Sequence, residues 1–291
     1  MNKDFKINHY IIQPDTIIAK GGFGTIYLGY HHRTNESVAI KMEHHANTTL
    51  RHETRMLQYL YENGVRKIPA VYWFGLNMEY QVLILPFFPC SLESYIQHKS
   101  PLSSIYVNAI IIKCLDILEH IHTKFVVHRD IKPANFMIKN GDIYLIDFGL
   151  ATFYVDENSH LLADYSLVGE EVGSMIGTVK YASLNIHRGH RYTRRDDLIS
   201  LVYMYDSMKG GGPIPTESFQ IGTGERTDIL NPVNQQWMYN KEQYLLALES
   251  TDNVLLDIYN FVYSIKYNET PNYAKMKLLC RGDNDKKKLL S

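Results

Sequence analysis

The rhythm of apolar and polar positions changes about a third of the way along the chain. Up to about residue 85 the apolar residues come in short runs of the kind that fill strands. These are Thr25-Ile26-Tyr27-Leu28-Gly29-Tyr30, Ser37-Val38-Ala39-Ile40-Lys41-Met42 and Gln81-Val82-Leu83-Ile84-Leu85. Ile11-Ile12 and Ile17-Ile18 flank Pro14-Asp15, which reads as a turn between two shorter runs. One helix is predicted among them, from Asn47 to Asn63, with Gly64 where a left-handed residue commonly ends a helix. From Ser91 onward the spacing becomes three and four, as in Val107, Ile110, Ile111, Cys114, Leu118 and Ile121. The pattern predicts an α+β chain. A small β-rich lobe covers residues 1–85, a hinge 86–90, a larger helical lobe 91–280, and a short polar tail 281–291.

Composition narrows the class. Hydrophobic residues make up 45% and charged residues 21%, enough to bury a core, which excludes disordered and collagen-like chains. The formal net charge is −1, so no nucleic-acid partner is expected, although a local basic patch remains compatible with it. The 3 cysteines (Cys90, Cys114, Cys280) are too few and scattered for a disulfide framework and fit a reducing compartment, cytoplasm or nucleus. Met1-Asn2-Lys3-Asp4-Phe5-Lys6 has no apolar core of a signal peptide. Ile105–Ile121, the longest apolar stretch, is interrupted by Asn108, Lys113, Asp116 and Glu119, whereas a bilayer span needs about 20 mainly apolar residues. No membrane partner is expected, and a monomer is.

Three stretches carry candidate chemistry. Lys20-Gly21-Gly22-Phe23-Gly24 lies between two β-rich runs, and a glycine hairpin tip can bring backbone N–H groups close to a phosphate or be only a turn. Lys41 closes Val38-Ala39-Ile40-Lys41, and in the helix that follows Glu53 falls in one stripe with Leu50, Leu57 and Leu60. A buried Glu53 would need a partner, for which Lys41 is the candidate; with the stripe rotated, Glu53 would be an exposed surface acid. The most specific stretch is His128-Arg129-Asp130-Ile131-Lys132-Pro133-Ala134-Asn135, followed by Asp147-Phe148-Gly149. Between them Asn140-Gly141 is a favoured hairpin turn joining Phe136–Lys139 to Asp142–Ile146. Asn135 and Asp147 offer hard oxygen ligands suited to Mg²⁺, and Asp130 and Lys132 add one acid and one cation. Phosphoryl transfer needs such a set.

In order and spacing these segments resemble those of a protein kinase: a partial Gly-rich loop, Val-Ala-Ile-Lys, a helix Glu, His-Arg-Asp-x-x-x-x-Asn and Asp-Phe-Gly. More narrowly the chain resembles casein kinase I. Gly177-Thr178-Val179-Lys180-Tyr181-Ala182-Ser183-Leu184-Asn185-Ile186-His187 stands where other kinases carry Ala-Pro-Glu; Arg194-Arg195-Asp196-Asp197-Leu198, Ser91-Leu92-Glu93 and Pro271-Asn272-Tyr273 match further signatures. The resemblance, over residues 15–280, implies the bilobal kinase fold with the active site between the lobes, ATP and Mg²⁺ as cofactors, and transfer of the γ-phosphate to Ser or Thr of acidic or already phosphorylated protein segments. It implies that Asp130 is the base and Lys132 neutralises charge on the transferred group. Asn135 and Asp147 would hold Mg²⁺. Lys41 would bind the phosphates and pair with Glu53. Ala19, Lys20, Gly21, Gly22, Phe23, Gly24, Ile26 and Ala39 would contact the nucleotide, with Leu85 as gatekeeper and Pro86 to Phe88 as hinge. Asp197 would brace the catalytic loop. Lys180 and Arg188 would form a substrate anion site within a positive patch that also includes His190, Arg191, Arg194 and Arg195.

The chain departs from the family at several points. Ala19 replaces the first loop glycine, and alanine disfavours positive φ, so weaker nucleotide affinity is expected. Pro86 replaces the hinge acid and Val202 a helix glycine; Gly212-Pro213-Ile214-Pro215 stands near the place of Leu-Pro-Trp. Gly173, beside Glu170 and Glu171, stands where a lysine is common, so priming phosphate should matter less. The acids Asp156, Glu157, Asp164, Glu170 and Glu171 suit activity without an activating phosphate. The alternatives are a pseudokinase scaffold without turnover and a small-molecule phosphotransferase of related fold.

Overall fold

A computed structural model describes residues 5–21, 24–99, 101–164, 175–210, 230–249 and 254–281. It comprises two compact units, Met1–Ser91 with Met137–Ala151, and Leu92–Phe136 with Thr152–Ser291.

The first unit is built on β1 (Phe5–Ile7), β2 (Tyr10–Gly21), β3 (Gly24–His31), β4 (Ser37–His44), β5 (Trp73–Asn77) and β6 (Tyr80–Pro86), in the order β1-β2-β3-β4-β6-β5. Every pairing is antiparallel. Side chains alternate along β4, so Val38 and Ile40 enter a core with Ile7, Ile12, Val82 and Ile84. Ala39 and Lys41 are left for the opposite face. Pro14-Asp15 is not a turn: β2 runs through it, and its register against β3 shifts between Ile12 and Ile17 and again before Ala19. Proline has no N–H to give to the ladder, and an irregularity of this kind is where a strand tolerates it. β5 left no clear signal in the sequence because, as an edge strand, none of its residues is fully buried.

The helix α1 (Thr49–Glu62) buries Leu50, Glu53, Met56, Leu57 and Leu60. Its first turn is held from outside: the Leu50 N–H donates to Glu43 Oε2 at 2.9 Å, and Gln81 Nε2 donates to the carbonyls of His45 and Asn47 at 3.1 and 2.6 Å. Its end is the left-handed Gly64, φ +91°.

A second, small sheet of the first unit joins β7 (Cys90–Ser91), β9 (Phe136–Lys139) and β10 (Asp142–Leu145). Asn140 and Gly141 both have positive φ, 54° and 79°, as a two-residue hairpin of the expected type requires. The sequence boundaries assigned 137–151 to the helical lobe, but this hairpin packs within the first unit. β9 pairs with β7, Leu145 N–H donates to Lys67 O at 3.0 Å, and Lys67 Nζ lies 2.8 Å from Asp142.

The second unit holds α2 (Leu92–Lys99), α3 (Ser104–Thr123), a short ladder of β8 (Val126–Val127) with β11 (Thr152–Phe153), and helices Leu184–His187, Arg194–Met208, Pro232–Glu249, Val254–Ser264 and Tyr273–Arg281. The six stripe residues of α3 are all buried. Arg194–Met208 is buried almost all round, Val202 included, and so forms the centre of the unit. Among the described residues no helix is long and apolar enough to cross a membrane. Gly212–Pro215 and most of the polar tail lie outside the described residues.

Replacing Gly64 by Ala should destabilise the protein by about 1 kcal/mol, the cost of a side chain in the left-handed region, because nothing else stands in the way of a Cβ there. Urea denaturation at equilibrium measures this; an unchanged or raised midpoint would contradict it.

Candidate active site

The first unit carries a buried ion pair. Lys41 Nζ lies 2.7 and 2.9 Å from the two carboxylate oxygens of Glu53, whose side chain is 2% exposed. The stripe of α1 therefore faces inward. Lys41 is also 3.4 Å from Asp147 Oδ1, and the Asp147 side chain is 43% exposed. Burial alone would lower the Lys41 pKa, but the charges of Asp147 and Glu53 outweigh it and hold the ammonium above its ordinary value. Burial raises the Glu53 carboxyl, with Lys41 opposing. Asp147 has φ 66°, buried Phe148 follows it, and His52 of α1 meets the Ala151 carbonyl at 2.7 Å, so the Asp-Phe-Gly turn is tied to the helix that carries Glu53.

On the Lys41 face of the sheet lies a cavity open to solvent, with about 480 Å³ of empty space when its open mouth is included. Of the expected nucleotide and hinge residues, Ile26, Ala39, Lys41, Leu85, Pro86, Phe87 and Phe88 line it. Glu53 does not, and acts on it through Lys41. Ile18, Pro69, Met137 and Ile146 complete the walls and were missed, since they come from four segments that only folding brings together. An apolar slot whose one charged wall residue is a lysine fits a flat ring system joined to an anionic tail. Ala19 and Lys20 pair with Ile26 and Thr25, and Gly21 with Gly24, at the closing end of the β2–β3 hairpin; Gly22 and Phe23 lie outside the described residues. Ala19 thus lies in strand, just after a register shift and without a positive φ, so backbone strain does not arise there. The position that demands glycine is Gly24, φ +111°, where a Cβ would collide with the Met42 carbonyl oxygen.

The second unit carries Asp130, Lys132 and Asn135. Asp130 Oδ2 lies 2.7 Å from Lys132 Nζ, and Asp130 Oδ1 accepts from both the N–H and the hydroxyl of Thr178, at 3.1 and 2.6 Å. Lys132 Nζ donates to the same hydroxyl at 2.9 Å. Asn135 Nδ2 donates to Asp130 O and Oδ2 at 2.8 and 3.0 Å, which leaves its carbonyl oxygen as the group it can offer a cation. Thr178 belongs to this network although sequence reading treated it only as part of a signature; 48 positions separate it from Asp130, and local pattern is silent at that range. Asp197 braces the loop as expected: it is wholly buried and accepts from the backbone N–H groups of His128 and Arg129, at 2.8 and 3.0 Å, and meets His122 Nε2 at 2.9 Å. Burial would raise its pKa, but His122 and the charge and amide of His128 outweigh that and hold the carboxyl below its ordinary value.

A family model of the protein kinase domain matches residues 12–274. The chain belongs to the protein kinase family.

As a kinase it is a phosphotransferase that uses ATP. The cavity beside Lys41 suits the nucleotide. The expected positive patch is only partly present. Arg194 lies over the Tyr154 ring and donates to Thr270 Oγ1 and Glu269 O at 3.1 and 3.2 Å, and Arg195 lies 3.9 Å from buried Asp196. Both arginines are thus taken up by the fold. Asp164 draws in His190 Nδ1 and the Arg191 N–H, at 3.0 and 2.9 Å. Arg188 pairs with Glu242 at 2.7 Å, and half-buried Lys180 lies over the Tyr181 ring, its pKa lowered by burial with Glu93 opposing. Glu170, Glu171 and Gly173 lie outside the described residues.

Lys41→Met and Asp147→Asn should each cut kcat by about 100-fold or more, since preorganised charge is often the largest catalytic term; steady-state phosphate transfer in either variant within a fewfold of wild type would contradict this. Asp197→Asn should cost about 3 kcal/mol of stability near neutral pH, because it removes a buried charge from its donors. The sign of the pH effect follows from the depressed pKa. The stabilisation is present above the unfolded value of about 3.9 and lost as pH falls through the lower folded value. The gap between wild type and Asp197→Asn should therefore narrow in denaturant titrations between pH 5 and pH 2; a gap constant across that range contradicts the assignment.

Proposed function

We propose that this kinase is a Ser/Thr protein kinase of the casein kinase I type, acting on acidic or already phosphorylated protein segments with ATP and Mg²⁺. The observation that carries the proposal is the closed network of Asp130, Lys132 and Thr178. It fixes one carboxylate oxygen with a hydroxyl and an amide and sets a lysine against the other. Asp130 is then held ready to accept the proton of a substrate hydroxyl, and Lys132 to neutralise negative charge as the phosphoryl group arrives. Lys132, two residues after the base, is also the Ser/Thr form of this loop in the family pattern. Asn135 and Asp147 would hold Mg²⁺ through their oxygens, and Lys41, locked by Glu53, would orient the nucleotide phosphates. Bound ATP supplies the transferable phosphoryl group and Mg²⁺ the charge that stabilises it. The sequence holds Lys41, Asp130, Asn135 and Asp147 together, the set that turnover needs, and this supports an enzyme over a scaffold without turnover.

The substrate preference rests on Lys180 and Arg188. Neither is buried in a strong ion pair: the Arg188–Glu242 bridge is half-exposed, of a kind contributing about 0–1 kcal/mol, and an anionic substrate can displace it. Lys180 lacks the bidentate fork of arginine, so the site attracts an anion without demanding a phosphate. A matched pair of peptides, one with phosphoserine and one with Asp three residues before the target Ser, tests this alongside Ser, Thr and Tyr acceptors. The phosphopeptide should be preferred by less than about 100-fold, or roughly 2.7 kcal/mol. A larger preference, a preference for basic peptides, or transfer to Tyr at the rate of Ser would each overturn the corresponding part of the proposal.

A further inference from the structure

Lys241, in the middle of the helix Pro232–Glu249, is fully buried. Among the described residues no carboxylate is paired with it. A lysine is costly to bury, and an apolar side chain of similar size at such a place is often no worse for stability. Its amine is nonetheless fully partnered. Nζ donates to the carbonyls of Val179 and Ala182 at 2.8 and 2.5 Å and lies 2.8 Å from His187 Nε2. Three partners match the three N–H bonds an ammonium can donate. His187, itself buried, reaches on through Nδ1 to Asn234 Oδ1 at 2.6 Å, about two turns before Lys241 on its helix. The amine also lies over the rings of Tyr203 and Trp237, at 4.8 and 5.9 Å.

The carbonyls it holds belong to one turn. The N–H groups of Tyr181 and Ala182 both donate to Thr178 O, at 2.9 and 3.1 Å, and Lys241 gathers two of the carbonyls that follow. The start of that turn is Thr178, whose amide and hydroxyl hold Asp130. Just before it, Gly177 has φ +101° and lies so close to the Arg129 carbonyl oxygen that a Cβ would collide with it. The segment is therefore pinned to the catalytic loop at 177–178 and to Lys241 at 179 and 182.

We propose that Lys241 is a positioning residue for the acceptor side of the reaction: through the carbonyls of Val179 and Ala182 it sets the turn that presents Thr178 to Asp130 and that lies under the incoming peptide. The proposal deepens the reading of Asp130 as base and of 177–187 as the peptide-facing segment, and it rests on that reading. Because Lys241 touches neither nucleotide nor reacting atoms, it should act on peptide parameters and leave nucleotide parameters alone.

The test uses the full chain and three variants: Lys241→Met, which keeps length and burial but not the hydrogen bonds; Lys241→Arg, which keeps donors; and Asn234→Ala, which removes the partner of His187 Nδ1. Lys241→Met should lower kcat/KM for a Ser peptide by tenfold or more with KM for ATP within twofold of wild type. Lys241→Arg should recover part of that loss, and Asn234→Ala should raise the peptide KM severalfold. Amide hydrogen exchange should show faster exchange over 178–187 in Lys241→Met, with the Lys41 strand unchanged. A folded Lys241→Met with wild-type peptide kcat/KM overturns the proposal, as does loss of peptide and ATP parameters in parallel with thermal stability. If Lys241→Met does not fold, an unchanged peptide KM in Asn234→Ala overturns it instead. If the wild type transfers phosphate to no peptide, the functional reading fails; the exchange measurement still decides whether Lys241 sets the turn.

Discussion

Two backbone amides and an imidazole converge on Asp197, and the loop that runs from His128 to Asn135 depends on that carboxylate. The amides belong to His128 and Arg129, and Arg129 is held at φ 71°, a conformation that costs a non-glycine residue roughly 1–2 kcal/mol. A loop in that conformation relaxes unless something over-determines it. Asp197 does so because it starts a helix that is itself buried almost all round and cannot move to accommodate the loop. From the braced Arg129 the chain passes directly to Asp130, so the position of the Asp130 carboxylate is inherited from a charge it never touches.

The first unit solves a related problem with opposite signs. Lys41 needs its ammonium facing a cavity while the rest of β4 builds a core. Strand alternation separates the two tasks, and Glu53 holds the amine from behind. Glu53 is placed in turn by α1, and the start of α1 is held by Glu43 from the same strand that carries Lys41. The pair is thus set at both ends by β4, which is why a helix with no side-chain cap of its own can still present one carboxylate with precision.

Charge in the second unit is mostly spent inward. Arg194 and Arg195, which in sequence look like part of a surface patch, serve a tyrosine ring, a threonine hydroxyl, a backbone carbonyl and a buried aspartate. Asp164, which in sequence looks like one more acid of the activation segment, is buried against His190 and the Arg191 amide. Lys241 extends the same habit: an amine of the fold used to hold carbonyls rather than to meet an anion.

Wherever the cause was local, the sequence by itself determined the outcome. Asn140-Gly141 makes its hairpin and Gly64 ends α1 because positive φ is a property of the residue. The α3 stripe buries because helical period is a property of the chain, and the kinase family was legible because phosphoryl transfer constrains both residue type and spacing. Tertiary structure alone decided everything that needed a partner distant in the chain. It settled whether Glu53 faces Lys41 or water, carried β2 through Pro14 without a turn, returned 137–151 to the first unit, relieved Ala19 of the backbone strain expected of it, and took Arg194 and Arg195 out of the patch. It also brought Thr178 to Asp130 across 48 positions and Lys241 to Val179 across 62. A side chain's preferences for φ and for burial are written in its own chemistry, but the group that will satisfy its charge is chosen only when the chain closes on itself.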